Sequence, residues 1–561
     1  MPYRILAVNP GHNGSAALVT DGTLEYYCEE ERLSRMKYDG NPFRAMLACL
    51  ETHKVDELVI GGTSSDLARL PWTQEDAYSA LARKFNPAIK ITNMGDQHHL
   101  GHAAAAFYNS GFDRALAVII DGAGSFRSID VSTGGFETES VYICEYPAKF
   151  QAVYKRYADG KTAYYRNDAE EFDNSVTITK AYEAVSQYLG FGFIESGKTM
   201  GLAPYGKANP AIPEFFINGR GNKNLLIPRY PAGALIDENA FPQLRRTQEP
   251  STWHRDFTRV TDIDRDLAWR VQTETQEMVA SLIESAVNAT GIRNVVIAGG
   301  YGLNVVANYY YLQRLPDVNI YVDPISNDGG TAIGLAKLAH HANTGDQTVM
   351  PLDTLYLGTS APCFGTEYHD IIKETPVKTR MVWPADVAEL LACKNIVALF
   401  QGRSEAGPRA LGNRSILFDP RAADGKDIVN RVKGREWFRP FAASVMAEHA
   451  NTWFDMRSLR SSPFMMYAVN VSAKYLGSIP AVTHVDGTCR VQTVSEQDNK
   501  YYYDLISAFY AVTGVPMLFN PSFNLAGEPL VDSFADAMDT FMRSDIPYLY
   551  LPEINTLIEK R

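Results

Sequence analysis

"RILAVNPGHNGSAALVTDGTLEYYCEEERLSR", residues 4–35, sets the architecture of the first half of the chain. An apolar run over 5–8 stops at Pro10-Gly11, a second over 16–19 stops at Asp21-Gly22, and a third stretch begins at Leu24. Short apolar runs cut by turn residues predict a buried strand, a glycine turn, a second strand, a hairpin turn and a third strand. That is a β-meander whose polar tip carries His12. A related phrase returns at "RALAVIIDGAGSF" (114–126), where the strand ends in Asp121-Gly122-Ala123-Gly124. A third, "RNVVIAGGYGLNVVANYYY" (293–311), runs from a strand into Gly299-Gly300 and then a helix. Three strand ends are expected to face one place.

Open sheets bind ligands beyond the carboxyl ends of their strands, where glycine lets backbone N–H groups approach phosphate oxygens. Two strand-to-glycine turns for phosphates, Gly122 belonging to the second, and a later Gly299-Gly300 at a helix start for adenosine form the arrangement of the actin, Hsp70 and sugar-kinase fold. "DQTVMPLDTLYLGTSAPCFG" (346–365) is turn-rich and loses helical period, so a domain boundary is expected between residues 343 and 365. We place the domains at 1–355 and 356–561. The second is α/β, from "WPADVAELLACKNIVALFQGRSEAGPRALGNRS" (383–415) to "AVTGVPMLFNPSFNLAGEPLVDS" (511–533), with a helical tail at "FADAMDTFMRS" (534–544). No repeat of solenoid length is visible.

A chain of 561 residues exceeds one compact core, which makes an active site at a domain interface plausible. With 45% hydrophobic and 21% charged residues, the composition is that of a globular protein rather than a disordered one. A net charge of -12 disfavours nonspecific coating of duplex DNA, which rests on clustered Lys and Arg, although a local basic groove is compatible with it. No stretch approaches eighteen uninterrupted apolar residues, and Pro10-Gly11 interrupts any signal-peptide core, so a cytoplasmic protein without a membrane span is expected. Cys28, Cys49, Cys144, Cys363, Cys393 and Cys489 are scattered without CxxC spacing, which excludes a zinc ribbon and fits reduced thiols.

In "DQHHLGHAAAAFY" (96–108), His98 and His102 stand one helical turn apart, about 6 Å, a spacing that suits two ligands of one divalent metal. An isolated HxxxH is more often core or surface. The zincin motif needs Glu directly after the first histidine and His99 stands there, so a metalloprotease is excluded. Asp121 and Asp328, the latter in "ISNDGGTAIG" (325–334), sit at strand ends and complete a set of two imidazoles and two carboxylates. Such a set leaves positions open for phosphate oxygens, which favours a metal bridge to nucleotide over a closed structural site.

"GFIESGKT" (192–199) satisfies the letters of a P-loop, but Gly201, Pro204 and Gly206 bar the long helix that must follow. A flexible loop over 196–201, with Lys198 over a nucleotide held elsewhere, is expected instead. "GRSEAGPRALGNRS" (402–415) and "RVKGREWFRPFAAS" (431–444) carry Arg403, Arg409, Arg414, Lys433, Arg435 and Arg439 beside apolar residues. Partly buried guanidinium groups clamp small dianions bidentately. Asn520, Ser522 and Asn524 in "FNPSFNLAGEP" add short side chains suited to a phosphate or an amide.

The ordered set "HHLGHAAAAFY", "VIIDGAG", "SGKTMGLAPYG", "AGGYGLN", "GPRALGNRS", "REWFRPFA" and "NPSFNLAGEP" resembles the O-carbamoyltransferases typified by the tobramycin and nodulation-factor (NodU) enzymes. The resemblance implies an actin-like N-terminal domain similar to the universal tRNA threonylcarbamoyladenosine transferase, and a YrdC-like C-terminal domain. It implies that carbamoyl phosphate and ATP become carbamoyl adenylate, whose carbamoyl group an acceptor hydroxyl then takes as AMP leaves. Carried over by position, His98, His102, Asp121 and Asp328 match the metal ligands, and His12 matches a histidine near the carbamoyl carbonyl. A neutral imidazole is a usual base for an alcohol at neutral pH. Lys37 matches a lysine near that site. Gly299, Gly300 and Asn304 would touch nucleotide; Arg409, Arg439, Arg490, Asn520 and Ser522 would hold carbamoyl phosphate. ATP and one divalent metal, among Fe, Mn, Mg and Zn, are the implied cofactors.

"YPAKFQAVYKRYADGKTAYYR" (146–166) and "RRTQEPSTWHRDFTR" (245–259) interleave cations with aromatics, a texture that suits a polynucleotide or an unstacked base but equally a lid with interface tyrosines. The expected acceptor is a hydroxymethylated base in phage-type DNA, with a hydroxyl on a sugar or antibiotic-like metabolite as the alternative; the local texture favours the first and the net acidity the second. A tRNA threonylcarbamoyl transferase shares the N-terminal fold but needs no arginine clamp. A noncatalytic actin-like nucleotide binder needs neither His12 nor Lys37. Oligomeric state is not legible.

Overall fold

The computed structural model describes residues 2–64, 75–130, 132–192, 194–239, 244, 260–359 and 365–561. The chain forms two units, one of 1–25 with 40–352 and one of 26–39 with 353–561.

In the first unit the opening phrase gives strands β1 (Arg4–Asn9), β2 (Ser15–Thr20) and β3 (Thr23–Glu29), followed by β4 (Glu57–Ile60) and β5 (Lys90–Asn93). Their order in the sheet is β3-β2-β1-β4-β5, with β1 antiparallel to β2 and parallel to β4. The same plan recurs with β6 (Arg114–Ile120), β7 (Phe126–Ser128), β8 (Gly134–Glu145), β9 (Lys149–Ala158), β10 (Tyr165–Arg166) and β11 (Glu170–Asp173). Two short hairpins intervene, β12 (Phe216–Ile217) with β13 (Arg220–Gly221) and β14 (Leu226–Pro228) with β15 (Ala234–Ile236). Then come β16 (Asn294–Ala298) and β17 (Asn319–Val322). The second sheet runs β10-β11-β9-β8-β6-β16-β17. Its core, β9-β8-β6-β16-β17, repeats the meander-plus-two-parallel-strands order of the first, and this doubling is the actin-type fold.

The alanine run explains the layer beside the second sheet. Helix His98–Ser110 buries Ala103, Ala104, Ala106 and Phe107 against Ala115, Ala117 and Ile119 of β6 and Val296 and Ala298 of β16. Small side chains also let helix Gly330–Thr344 approach closely: a methyl group on Gly334 would lie 2.0 Å from the Gly101 carbonyl oxygen. This close approach brings together the N-termini of the two helices, where His98 and Asp328 lie.

The second unit has the sheets β18-β27-β26-β19-β20 and β22-β23-β24-β21-β25. The strands are β18 (Val377–Met381), β19 (Val397–Phe400), β20 (Arg414–Leu417), β21 (Ala442–Met446) and β22 (Phe454–Asp455). They continue with β23 (Ala468–Val471), β24 (Thr488–Val494), β25 (Met517–Phe519), β26 (Tyr548–Leu551) and β27 (Thr556–Lys560). Helix Phe534–Arg543 is therefore not a tail, because β26 and β27 follow it and pair with each other. The unit is α/β.

Two further expectations change. A single boundary near residue 355 misses residues 26–39, which belong to the second unit. The reason is chemical: buried Arg32 donates to the Gly407 carbonyl at 2.5 Å and to Glu29 at 2.9 Å, and Arg35 donates to the Leu530 carbonyl at 2.7 Å. The segment 196–201 is not a loop. It forms the seven-residue helix Ser196–Leu202, held by a 2.7 Å bond between the hydroxyls of Thr199 and Ser186. No strand stands before it, since helix Ile178–Tyr188 precedes it, so the P-loop is absent.

Among the described residues no helix is long and apolar enough to cross a membrane. Five cysteines, Cys28, Cys49, Cys144, Cys393 and Cys489, are unpaired.

Candidate functional site

In the first unit His98 and His102 point from one helix face at Asp121, which follows β6 directly, and at Asp328, which precedes helix Gly330–Thr344. One ligand atom from each of the four lies within 4.8 Å of all the others. The two Nε2 atoms are 3.2 Å apart, and His98 Nε2 lies 3.5 Å from Asp121 Oδ2 and 3.8 Å from Asp328 Oδ1. All four residues are buried. Burial disfavours an imidazolium at His98, yet Asp328 and Asp121 outweigh it and push its pKa up to about 9. Burial and then the charge on His98 take His102 down to about 4. Burial alone would raise the Asp121 carboxyl, but the hydrogen bond from His98 and the charges of the three histidines hold it well below the usual range.

Two imidazole Nε2 atoms and two carboxyl groups converge here, a donor set that suits a divalent cation. The fit is good at Nε2, and the Nδ1 atoms of both histidines are buried without a hydrogen-bond partner among the described residues. His99, the intervening residue, faces away and bonds Ser140 Oγ at 2.7 Å.

His12 stands at the rim of this cluster. Its side chain is 47% exposed, and its Nε2 lies 3.3 Å from Asp328 Oδ2. Asp328 raises its pKa, and Asn13 Oδ1, 3.1 Å away, engages Nδ1. Gly300 N–H donates to Asp121 Oδ1 at 2.9 Å, which fixes the β16 turn onto the β6 turn. Gly299 has φ +86°, and a methyl group there would lie 2.4 Å from the Ile120 carbonyl oxygen, so only glycine allows the approach. Gly122 lies in the same turn as Asp121. Asn304 caps helix Val305–Arg314 through the Ala307 N–H at 3.1 Å and also exchanges hydrogen bonds with Gln272. Lys198 is paired with Glu195 at 2.8 Å.

The second unit gathers the opposite charge. Burial, then Arg439 and Arg435, lowers Arg409 to about 10; burial, then Arg439 and Arg490, lowers Arg435 to about 9. Burial with Arg409 and Arg439 takes Arg490, on β24, well below its ordinary value. Arg490 Nε and Asn520 Oδ1 are buried without partners among the described residues, while Asn520 Nδ2 donates to Ser444 Oγ at 2.8 Å. Ser522 Oγ donates to Asn524 Oδ1 at 2.7 Å, and Lys433 Nζ donates to the Ser522 carbonyl and to Asn524 O at 2.7 Å.

Besides Lys433, two more of the six cations read as clamps hold backbone. Arg414 donates to the carbonyls of Gln401, Gly402, Asn413 and Asp532 and stacks over Phe400 at 4.0 Å. Arg403 donates to the carbonyls of Leu357 at 2.7 Å and Gly358 at 2.9 Å. Both hold backbone. Lys37 lies in the second unit, not in the unit that carries His12, because residues 26–39 go with it. Desolvation of its ammonium lowers its pKa, Glu31 opposes, and Arg435, Arg32 and Arg439 add to the lowering.

Sequence reasoning missed Glu405, whose Oε1 accepts from the N–H groups of Leu411, Asn413 and Arg414 at 2.7, 2.8 and 3.1 Å and so shapes the loop of Arg409. The Glu preceding a glycine-rich loop was a visible signal. The basic-aromatic stretch 146–166 is largely sheet: Lys149 pairs with Glu145 at 2.7 Å, Lys155 with Glu137, and Arg156 with Asp173 at 2.8 Å. The stretch 245–259 lies outside the described residues.

A doubled actin-type unit followed by an α/β unit rich in buried arginine is the build of a two-unit α/β enzyme. Two family models match, the carbamoyltransferase N-terminus over residues 75–337 and the carbamoyltransferase C-terminus over residues 388–560. Nodulation protein NolNO of Sinorhizobium fredii is 32% identical, covering 98% of this chain and 79% of its own. Nodulation protein NolO of Bradyrhizobium diazoefficiens is 32% identical, covering 83% of this chain and 79% of its own. Full-length HypF in its phosphate- and nucleotide-bound form shares 13% identity over 62% of this chain and 47% of its own, with a TM-score of 0.34, too slight to assign anything. The chain belongs to the carbamoyltransferase family.

Proposed function

We propose that this carbamoyltransferase makes carbamoyl adenylate from carbamoyl phosphate and ATP and transfers the carbamoyl group to a hydroxyl of a small polyhydroxylated metabolite. The observation that carries the reading is His12, half exposed with its Nε2 3.3 Å from Asp328 at the rim of a buried two-histidine, two-aspartate cluster. Asn13 Oδ1 can only accept, so it keeps the proton of the neutral ring on Nδ1 and leaves the Nε2 lone pair for the acceptor hydroxyl. As the new C–O bond forms, Nε2 takes the hydroxyl proton, Asp328 offsets the imidazolium charge, and the carbamoyl carbon's bond to the AMP phosphate oxygen breaks. His98, His102, Asp121 and Asp328 would hold one divalent ion, which would offset charge on nucleotide phosphate oxygens.

The glycine turns at Gly122 and Gly299-Gly300 and the cap at Asn304 would receive the nucleotide. In the second unit, which we read as the YrdC-like activating domain, Arg409, Arg439 and Arg490 would hold carbamoyl phosphate with Ser522. Asn520 Oδ1 suits the carbamoyl N–H, since it is an acceptor among donors. Lys37 would add charge to this second cluster. A small metabolite is favoured over a DNA base because Lys149, Lys155 and Arg156 are already paired with carboxylates.

The test is mass spectrometry of hydroxymethylcytosine DNA, an aminoglycoside and a chito-oligosaccharide incubated with the protein, ATP, carbamoyl phosphate and a divalent metal. One added carbamoyl group on a glycoside, lost in His12→Ala, is expected. A gain on DNA alone would overturn the acceptor, and no gain with no pyrophosphate released would overturn the activity.

A further inference from the structure

The far end of helix Gly330–Thr344 carries a second group of ligand atoms, one that no step above uses. The helix starts two residues after Asp328; His340 and His341 lie in its last turns, about 15 Å further along the axis. Both rings are buried, and beyond Gly345 the chain turns back so that Asp346 meets them. One ligand atom from each of the three lies within 4.8 Å of the other two.

Two of the three groups are held from behind. Thr348 donates to Asp346 Oδ1 from its backbone N–H at 2.9 Å and from its hydroxyl at 2.7 Å, which leaves Oδ2 turned to His340 Nε2. These two bonds bring the carboxyl down to about 2, so it is ionised at neutral pH. The Asp346 carbonyl stands 2.7 Å from His341 Nδ1; a carbonyl only accepts, so the proton of the neutral ring is on Nδ1 and its lone pair on Nε2. Burial keeps that ring below the ordinary histidine value. Stacking on Tyr108 at 4.5 Å and an edge contact with Tyr146 at 5.0 Å fix its plane. A histidine with one nitrogen tied to a carbonyl is the form that ligates a metal through the other.

The separation of His340 and Asp346 decides between a proton and an ion. Nε2 and Oδ2 are 3.4 Å apart. That is beyond the roughly 2.8 Å of a charge-assisted hydrogen bond. It matches the edge of about 3.4 Å between two ligands of a tetrahedral ion bonded at roughly 2.1 Å. His340 Nδ1 is buried without a hydrogen-bond partner among the described residues, so the ring is oriented from its Nε2 side. Gly22, at φ +87°, keeps that side clear, since a methyl group there would lie 3.0 Å from His340 Nε2.

We propose that His340, His341 and Asp346 bind a Zn2+ ion of their own, with water in the fourth tetrahedral position, and that this ion pins residues 345–350 to the helix. Two imidazoles and one carboxylate suit zinc, whereas Mn2+ binds such donors more weakly and is better served by the second carboxylate of the His98 cluster. The pinned segment is the last of the first unit, which ends at residue 352. The inference stands apart from the carbamoyl-transfer reading.

The experiment strips the full chain with a chelator, titrates it with Zn2+ by calorimetry and counts the bound zinc by elemental mass spectrometry. Because the His98 cluster also takes zinc, the titration is run in Asp121→Ala, alone and combined with Asp346→Asn or His340→Gln, each checked for folding by circular dichroism. Asp121→Ala is expected to keep one tightly bound Zn2+, and either added substitution to weaken its binding at least about 100-fold. In the otherwise wild-type chain Asp346→Asn should lower the count from two to one, which keeps the test open if Asp121→Ala does not fold. No zinc on a folded Asp121→Ala chain overturns the site, as does a zinc affinity and count that neither Asp346→Asn nor His340→Gln changes in either background. No readout involves carbamoylated product, so a failure of carbamoyl transfer leaves the result intact.

Discussion

The buried clusters of the two units are opposites. In the first, two imidazoles and two carboxylates converge, and the environment splits the histidines, His98 up to about 9 and His102 down to about 4. In the second, arginines crowd one another, and Arg409 and Arg435 fall to about 10 and about 9. The first set is complemented by a cation and the second by an anion. Each is costly to bury unless a ligand of opposite charge is part of its function. On the proposed function, one chain separates the chemistry of a metal and nucleotide from the chemistry of a small dianion.

The contrast breaks first at Arg414, which looks like a clamp in sequence and serves as a backbone clasp. Arg414→Met leaves four carbonyls, three of them buried, without their donor and is expected to cost about 4 kcal/mol in denaturant unfolding of the full chain. Retained stability would return Arg414 to the anion cluster. Asp121→Ala removes a cluster ligand and the acceptor for the Gly300 N–H. Titration with Mn2+ should show at least about a 100-fold loss of affinity. Arg490→Ala should raise the carbamoyl phosphate KM about 30-fold while Mn2+ affinity stays at the wild-type value, since hydrogen bonds to charged groups are worth about 2 kcal/mol. A matching loss of metal affinity would show that the two clusters are not separate functions. At the small end, Lys149→Ala breaks an exposed pair worth about 0.5 kcal/mol and should leave the acceptor KM unchanged.

Much of the first unit was legible because apolar runs ending in glycine fix both the strand and what its end can bind. The set His98, His102, Asp121 and Asp328 was expected from residue type and place, and the structure brings the four side chains together. The second unit was less transparent. Arg403, Arg409, Arg414 and Arg439 share one texture in sequence, and only the carbonyls around Arg403 and Arg414 reveal that these two hold backbone. The placement of residues 26–39 depends on long-range bonds of Arg32 and Arg35, for which local pattern carries no signal. In the basic-aromatic stretch 146–166 the pairing of Lys149, Lys155 and Arg156 was not legible, because their partners Glu145, Glu137 and Asp173 lie on other strands or strand ends.

The most direct test of the two-cluster account is pyrophosphate release from ATP and carbamoyl phosphate, measured alongside carbamoylated acceptor, in wild type, His12→Ala and Arg439→Ala. The account predicts that His12→Ala still releases pyrophosphate while forming no carbamoylated product, and that Arg439→Ala releases almost none. Equal loss of pyrophosphate in both variants, or full transfer by His12→Ala, would contradict it.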